Sequence, residues 1–326
     1  MIIVTGAAGF IGSNLVAGLN DAGRDDIVLV DRLGHDGKWR NIAKRRFLDF
    51  VFPEDLESRL SSLPRADAVF HLGGISSTTA TDADEIVRTN FQLSARLWDW
   101  CMRSGTPFIY ASSAATYGDG CAGFDDLEGP DHLEKLRPLN LYGWSKHAFD
   151  RWSVARSAEG HAPPFWAGLK FFNVFGPNEY HKGDMQSLVA KNFRRIAAGE
   201  PVALFKSHRD GIRDGEQLRD FVYVADCVAV MLWLLERRLR PGLFNLGTGQ
   251  ARSFADLMRA TGRALGKEVV LEFRDMPEAI RPNYQYFTQA NMQKLRAAGY
   301  ARSFHSLEEG VADYVGRFLA KDDIYR

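Results

Sequence analysis

The chain has very little cysteine: Cys101, Cys121 and Cys227 are the only three in 326 residues, and they lie far apart. That argues against a disulfide framework and fits a reducing compartment. No Cys or His set stands at ligand spacing, so no metal site is expected. Neither charge is in excess: 41 basic and 41 acidic residues cancel to a formal net charge of zero. There is thus no electrostatic case for nucleic acid or an anionic membrane as partner. No apolar run reaches the roughly 18 residues of a membrane span. The first residues enter a fold pattern directly, without a basic stretch leading into a signal-like segment. A cytoplasmic protein is the expectation. Internal repeats and long low-complexity tracts are missing too. What remains is a composition 45% hydrophobic and 25% charged, long enough for one large domain or two unequal ones.

Met1 to Thr5 reads as a short buried parallel strand and opens directly into TGAAGFIGSNL. Gly6 permits the tight turn, Gly9 lets backbone approach a pyrophosphate, and Gly12 lets the next helix pack on the sheet. Free backbone N–H groups at that helix start, around Phe10 and Ile11, make an anion site. The Gly-x-x-Gly-x-x-Gly spacing differs by one residue from the usual dinucleotide fingerprint. The next strand, Asp26 to Val30, ends at Asp31, nineteen residues after Gly12. A carboxylate there suits an adenosine ribose and NAD, whereas Arg32, with Lys38 nearby, could hold a 2′-phosphate and favour NADP. Lys44 to Arg46 reads equally well as a solvated helix face.

Strand and helix patterns then alternate as in a doubly wound α/β domain. Ala68 to Leu72 reads as a strand followed by Gly73, Gly74, Ile75 and Ser76, where glycine would admit a cofactor to the strand end. Glu85 to Ser104 reads as a helix interrupted by Asn90, either exposed or reaching toward the nicotinamide half. Phe108 to Ala111 is a further strand, and Ser112, Ser113 and Thr116 follow at its carboxyl end, where open sheets place ligands. These hydroxyls could equally cap local backbone. His71 reads as structural. In Tyr142-Gly143-Trp144-Ser145-Lys146 the tyrosine and lysine share a helix face one turn apart. A neighbouring ammonium would lower the phenol pKa and make Tyr142 an acid/base near neutral pH.

TGAAGFIG, Asp31, ASSAATYG and YGWSK in this order resemble an extended short-chain dehydrogenase/reductase, from the group of nucleotide-sugar epimerases and dehydratases. KFFNVFGP, RDFVYVADC and FNLGTG agree, so the resemblance spans nearly the whole chain. It implies a Rossmann-type doubly wound parallel sheet with a smaller, discontinuous C-terminal α/β substrate domain. It also implies Ser113 orienting the reacting oxygen, Tyr142 moving its proton, and Lys146 holding the nicotinamide ribose. HLGGISSTT, LNLYGWSK, FFNVFGPNEYHKGDMQS and RPNYQYFTQANMQKLRAAGY are similar to the ADP-heptose 6-epimerase family within that group. That family implies Lys182 as a second acid/base, Asn173 on substrate and Val174 on cofactor. It implies Arg219 and Tyr284 at the diphosphate end and Phe205 in the loop over the nucleotide. It further implies NADP or NAD, with NADP favoured, a nucleotide-sugar substrate, a homo-oligomer (a pentamer) and a role in lipopolysaccharide heptose synthesis.

The chain also departs from that pattern. Leu72 stands where relatives carry glutamate, so a cofactor-side contact is in doubt. Asp184 replaces a substrate-contacting serine and must be solvated or turned away from a diphosphate. Lys191 replaces a histidine and could offset that charge. Residues 206–218 make a longer loop than in relatives and read as a flexible surface segment.

After Phe175 the chain is more irregular. Helices are expected at 186–198 and 226–238, a return to the main sheet at 243–246, and a short strand near 269–273. The expected domains are 1–174, with a return of the chain at about 220–250, and a substrate domain from 175–219 and 251–326. A 4-epimerase would use Ser113, Tyr142 and Lys146 without Lys182. A 4,6-dehydratase needs an acidic pair that is missing after Ala115, and a non-catalytic dinucleotide binder would not need the triad.

Overall fold

The computed structural model describes residues 1–63, 65–237 and 240–326. In chain order its strands are β1 (Ile2–Thr5), β2 (Ile27–Val30), β3 (Asp49–Val51), β4 (Ala68–His71), β5 (Phe108–Ser113), β6 (Trp166–Phe171), β7 (Asn173–Phe175), β8 (Val202–Phe205), β9 (Leu218–Tyr223), β10 (Gly242–Leu246), β11 (Ala251–Ser253) and β12 (Leu271–Arg274). Seven of them form one parallel sheet in the order β10-β6-β5-β4-β1-β2-β3. Every residue of β1, β2 and β4 is buried, which is why these strands are continuous apolar runs rather than alternating ones.

Register decides where chemistry can happen. Thr5 stands beside Val30 and His71, and Ser113 beside Phe171, so the carboxyl ends of five strands finish on one rim. Chain direction across the sheet reverses at β1, with β2 and β3 on one side and β4 on the other. Open α/β sheets bind ligands at such a switch point.

The helix Phe10–Asp21 lies against the helix Val224–Glu236, touching at Gly18, where a Cβ would come within 2.5 Å of Val228 Cγ1. Residue 238, expected to close that second helix, lies outside the described residues. The helix expected from Glu85 to Ser104 starts at Ala83 and passes through a π-helical turn, Val87–Gln92, before resuming at Leu93–Ser104. Asn90 sits in that turn, a form that favours functional sites.

Beyond Phe175, β9 pairs in parallel with β7 and antiparallel with β11, and β8 pairs with β12. A second apolar cluster, with Val189, Ile196, Leu204, Met258, Val311 and Tyr314, lies under these elements. Phe10 at the start of the first helix joins that cluster, so the glycine turn is held between two cores.

Candidate active site

A single cleft of about 1050 Å³ runs along the rim of the sheet. Gly6, Gly9, Phe10, Ile11 and Gly12 line its floor. Gly6 has φ +66°, and a Cβ there would lie 2.6 Å from the Gly73 nitrogen; at Gly12 it would lie 2.0 Å from the Gly6 carbonyl. Gly9 also lines the cleft, and a Cβ there would meet Gly6 O at 3.1 Å, a tight contact. Leu72, Gly73, Gly74, Ile75 and Ser76 form the next stretch of wall. This backbone-lined hollow at a helix N-terminus fits the pyrophosphate of a dinucleotide.

At the far end Asp31 is buried, and its carboxylate accepts from the Ala8 N–H at 2.8 Å, the Arg32 N–H at 2.7 Å and Lys38 Nζ at 2.9 Å. Arg32 lines the cleft but is 62% exposed and pairs with Glu54 at 3.1 Å. Lys44 and Arg46 bond Asp323 and Asp25, both at 2.8 Å, and neither lines the cleft. Lys44 and Arg46 are therefore surface residues, whereas Arg45 between them is half-buried.

The helix Leu141–Ala158 begins with Asn140, whose Oδ1 accepts from the Gly143 N–H at 2.8 Å. A Cβ on Gly143 would lie 2.7 Å from the Ala115 carbonyl, so glycine lets this helix close onto the turn after β5. Tyr142, Lys146 and Ser113 all line the cleft as a result. The expected depression of the Tyr142 pKa is not what the structure has. Burial pushes the phenol up, with the Ser113 hydroxyl pulling the other way. Lys146 is itself pushed down to about 8 by burial, because the ammonium loses its water. Both groups are thus driven toward their neutral forms.

Asn90 also corrects an expectation. It is fully buried and does not line the cleft. Its amide bonds both the N–H and the carbonyl of Ile75, at 2.8 and 2.9 Å, and donates to Ser145 Oγ at 3.0 Å. It holds the 73–76 loop to the Tyr142 helix. His71 is structural, between Thr5 Oγ1 and Ser94 Oγ at 2.7 and 2.9 Å, and burial pushes it down to about 3. Ser113 Oγ caps the Ala115 N–H at 3.1 Å, while Thr116 donates to the Ser113 carbonyl at 2.8 Å.

Asn173, Val174 and Lys182 line the cleft from the other half of the chain. Lys182 sits in the 3₁₀ turn Tyr180–Met185, half-buried, with Nζ 5.3 Å from the centre of the Phe10 ring. Burial lowers its pKa, and the fully buried Glu179 opposes that shift. Asp184 is fully exposed and lines the cleft, so its carboxylate stays solvated. Lys191 donates to the Asp184 carbonyl at 2.5 Å and lies 3.8 Å from its carboxylate.

Three residues expected on substrate do not line this cleft: Phe205, Arg219 and Tyr284. Arg219 is 6% exposed and lies against the rings of Phe254 at 5.5 Å and Tyr284 at 5.1 Å. Aromatic faces offset part of the lost hydration of a buried guanidinium. Phe254 does reach the cleft, so Arg219 touches the cleft wall rather than its interior. Phe205 packs against Arg274 at 5.2 Å. The 206–218 loop bonds within itself, Ser207 N–H to Asp214 at 2.7 Å, and accepts the Met276 N–H on His208 Nε2 at 3.2 Å.

Sequence reasoning passed over Asn41, whose buried amide donates to the Ala8 carbonyl at 2.9 Å and the Asn178 carbonyl at 3.0 Å. It passed over Asp150 and Lys170 as well, although a lysine inside the strand-like WAGLKF was a signal.

Comparison with known proteins agrees with this geometry. A model described as the NAD dependent epimerase/dehydratase family matches residues 2–247. The chain belongs to that family. An ADP-L-glycero-D-manno-heptose-6-epimerase of Fusobacterium nucleatum is 48% identical over the whole of both chains. One of Nitratidesulfovibrio vulgaris is also 48% identical, covering 99% of each. This epimerase/dehydratase chain thus falls within the heptose-6-epimerase family. Among solved structures, the Helicobacter pylori ADP-L-glycero-D-manno-heptose-6-epimerase superposes with a TM-score of 0.79 at 28% identity, covering 97% of this chain and 95% of that one. A Thermus thermophilus UDP-glucose 4-epimerase in complex with NAD gives 0.75 at 27% identity, with 97% of each chain covered.

Proposed function

We propose that the chain inverts carbon 6 of ADP-D-glycero-β-D-manno-heptose to the L-glycero form with a bound NADP or NAD. The observation that carries this reading is that Tyr142 and Lys182, on separate elements, open into one cleft. Carbon 6 bears a secondary hydroxyl and no neighbouring carbonyl, so loss of its hydrogen as a proton would be very costly. When bound, the dinucleotide supplies reversible oxidation at that carbon. The protein's own residues handle the hydroxyl proton. Inversion requires the proton to leave and return from different positions around the sugar, which is why two groups are used. Burial pushes the Tyr142 phenol up and the Lys182 ammonium down, and these two groups are the proposed acid/base pair. Ser113 would orient the reacting oxygen, and Lys146 would hold the nicotinamide ribose.

Gly6, Gly9 and Gly12 would receive the pyrophosphate. Asp31 suits a ribose hydroxyl and Arg32, with Lys38, a 2′-phosphate, so these residues leave NAD and NADP both open, and NADP is favoured by the family resemblance alone. Asn173 and Lys191 would bind substrate, with Arg219 and Tyr284 shaping the wall at its diphosphate end. The proposed division is 1–174, with the return near 220–250, and a substrate domain from 175–219 and 251–326; the second apolar cluster underlies much of the latter, while Ala290, Met292, Leu295 and Tyr300 pack with the first. By family analogy the enzyme is a homo-pentamer of the bacterial cytoplasm that supplies lipopolysaccharide heptose.

The test is a proton NMR assay of purified enzyme with ADP-D-glycero-β-D-manno-heptose and no added reduced cofactor. The L-glycero epimer appears without net NAD(P)H. Absence of conversion with cofactor demonstrably bound overturns the heptose reading and moves the search to UDP-, GDP- and dTDP-sugars.

A further inference from the structure

Behind the Tyr142 helix lies a charged pair with no place in the proton transfers. Asp150 on that helix and Lys170 on β6 meet at 2.6 Å, with side chains 0% and 1% exposed. Neither lines the cleft. Taking both charges out of water incurs a desolvation cost that their attraction need not recover, and an apolar pair of similar volume is often at least as stable. Such a pair calls for a reason other than stability.

Its partners supply one. Asp150 accepts from Ser112 Oγ at 2.7 Å and from the Tyr110 hydroxyl at 2.9 Å, both on β5. Lys170 donates to Thr116 Oγ1 at 2.7 Å, and that hydroxyl donates to the Ser113 carbonyl at 2.8 Å. One end of the network therefore holds the backbone on both sides of Ser113. The other end holds the helix, where Asp150 follows Lys146 by four residues and Tyr142 by eight, on the same face. The seam between them is at contact distance, as Gly143 against the Ala115 carbonyl shows.

We propose that Asp150 and Lys170 are positioning residues that set Ser113 against Tyr142 and Lys146. The assignment rests on reading those three as the acid/base centre. Two carboxylate–hydroxyl bonds and one ammonium–hydroxyl bond are directional, and apolar side chains packed in the same volume would leave the Ser113 turn free to slide along the helix. Asp150 also raises the Tyr142 and Lys146 pKa values through its charge, and Lys170 stands opposite that charge. His147, Arg151, Tyr110, Tyr117 and Asp126 are further ionisable groups beside this network.

Two variants test it. Asp150→Asn combined with Lys170→Met removes both charges and leaves neither buried alone. Lys170→Arg keeps the charge and changes the geometry. For the double variant, cofactor content, kcat and KM are measured in the NMR assay well below the unfolding midpoint. A fall in kcat of about 10- to 100-fold, with cofactor retained and KM within about twofold, is expected. For Lys170→Arg, the Tyr142 phenol is titrated by tyrosinate absorbance against a matching Tyr142→Phe background. Its pKa rises, because the Ser113 hydroxyl that lowers it is displaced.

Wild-type kcat in the double variant together with an unmoved phenol in Lys170→Arg overturns the proposal and leaves the pair as packing. Parallel loss of cofactor and kcat in a double variant that is still folded overturns it too. If the double variant does not fold, the titration of Lys170→Arg decides alone. A wild type inert toward the heptose substrate, with the phenol still moved in Lys170→Arg, sinks the substrate reading and leaves the positioning role standing.

Discussion

Tyr142 and Lys182 reach one cleft from supports of opposite kinds. Tyr142 rides near the start of an 18-residue helix, capped by Asn140 and pressed on the turn after β5. Lys182 rides on a six-residue 3₁₀ turn whose Gly183 has φ +52° and whose neighbours Gly183, Asp184 and Met185 are all exposed. That turn is secured by side chains: the buried Glu179 carboxylate accepts from the Ser187 N–H at 2.5 Å and Ser187 Oγ at 2.7 Å, Gln186 Nε2 donates to the Tyr180 carbonyl at 2.8 Å, and the Tyr180 hydroxyl donates to the Ile324 carbonyl at 2.8 Å. One acid/base group is thus held by repetitive secondary structure and the other by side-chain anchors. Sites on regular elements are placed more exactly than sites on loops, so in the proposed mechanism the Tyr142 side would carry the alignment and the Lys182 side the adaptability to an inverting sugar.

The sharpest way to break this comparison is to remove the two groups in turn. Tyr142→Phe should lower kcat by about 10²- to 10⁴-fold with cofactor still bound, and Lys182→Ala by a similar order. Stopped-time NMR of the two epimers measures both. Full activity in Lys182→Ala would mean that only the helical side does chemistry.

A second test concerns the sheet beneath the Tyr142 side. His71 is pushed down to about 3 from an ordinary 6.5, so between these values the unfolded chain binds a proton that the folded one refuses. Stability is therefore intact above about pH 6.5 and falls as the pH drops toward 3, by about 1.36 kcal/mol per pH unit across that window. Urea midpoints at pH 7 and pH 4.5 should differ by less in His71→Gln than in wild type. An equal difference would place the acid sensitivity elsewhere.

Smaller effects separate the supports themselves. Gly143→Ala forces a methyl against the Ala115 carbonyl and should destabilise by about 1–3 kcal/mol, with kcat falling further than stability explains. Urea unfolding together with the NMR assay would show this, and a neutral result would mean the seam can open. Smallest are the two caps. Asn140→Ala and Ser187→Ala should each cost about 1 kcal/mol in thermal or urea unfolding. Only Asn140→Ala leaves Lys182 undisturbed, since Ser187 also bonds Glu179. If both variants shift the Tyr142- and Lys182-dependent limbs of the pH profile equally, the two supports are not independent.

The glycine turn, Asp31 and the YGWSK helix were legible as elements, because each depends on residues close together in the chain, whereas Lys182 was named only through the family resemblance. Asn90 was visible only as a polar interruption in a helix. Its role as a clamp on Ile75 and Ser145 joins segments 15 and 55 residues away. Arg219 and Tyr284 were rightly grouped, since they touch, yet they stand in the wall and not in the cleft. The direction of the Tyr142 shift escapes a reading of the helix for a related reason: spacing on a helix shows which charge is near, while burial depends on everything packed around it.

Residue order settles which segments are strands and helices, and which residue types meet a phosphate or carry a proton. Apolar runs, glycines without Cβ and i, i+4 spacing act locally, and local physics can be read from neighbours in the chain. Only the folded chain brings Asp150 and Lys170 into one bond, raises the Tyr142 phenol and lowers Lys146 by burial, and keeps Asp184 solvated. Desolvation and ion pairing depend on three-dimensional surroundings assembled from distant strands and helices, which no single stretch of sequence contains.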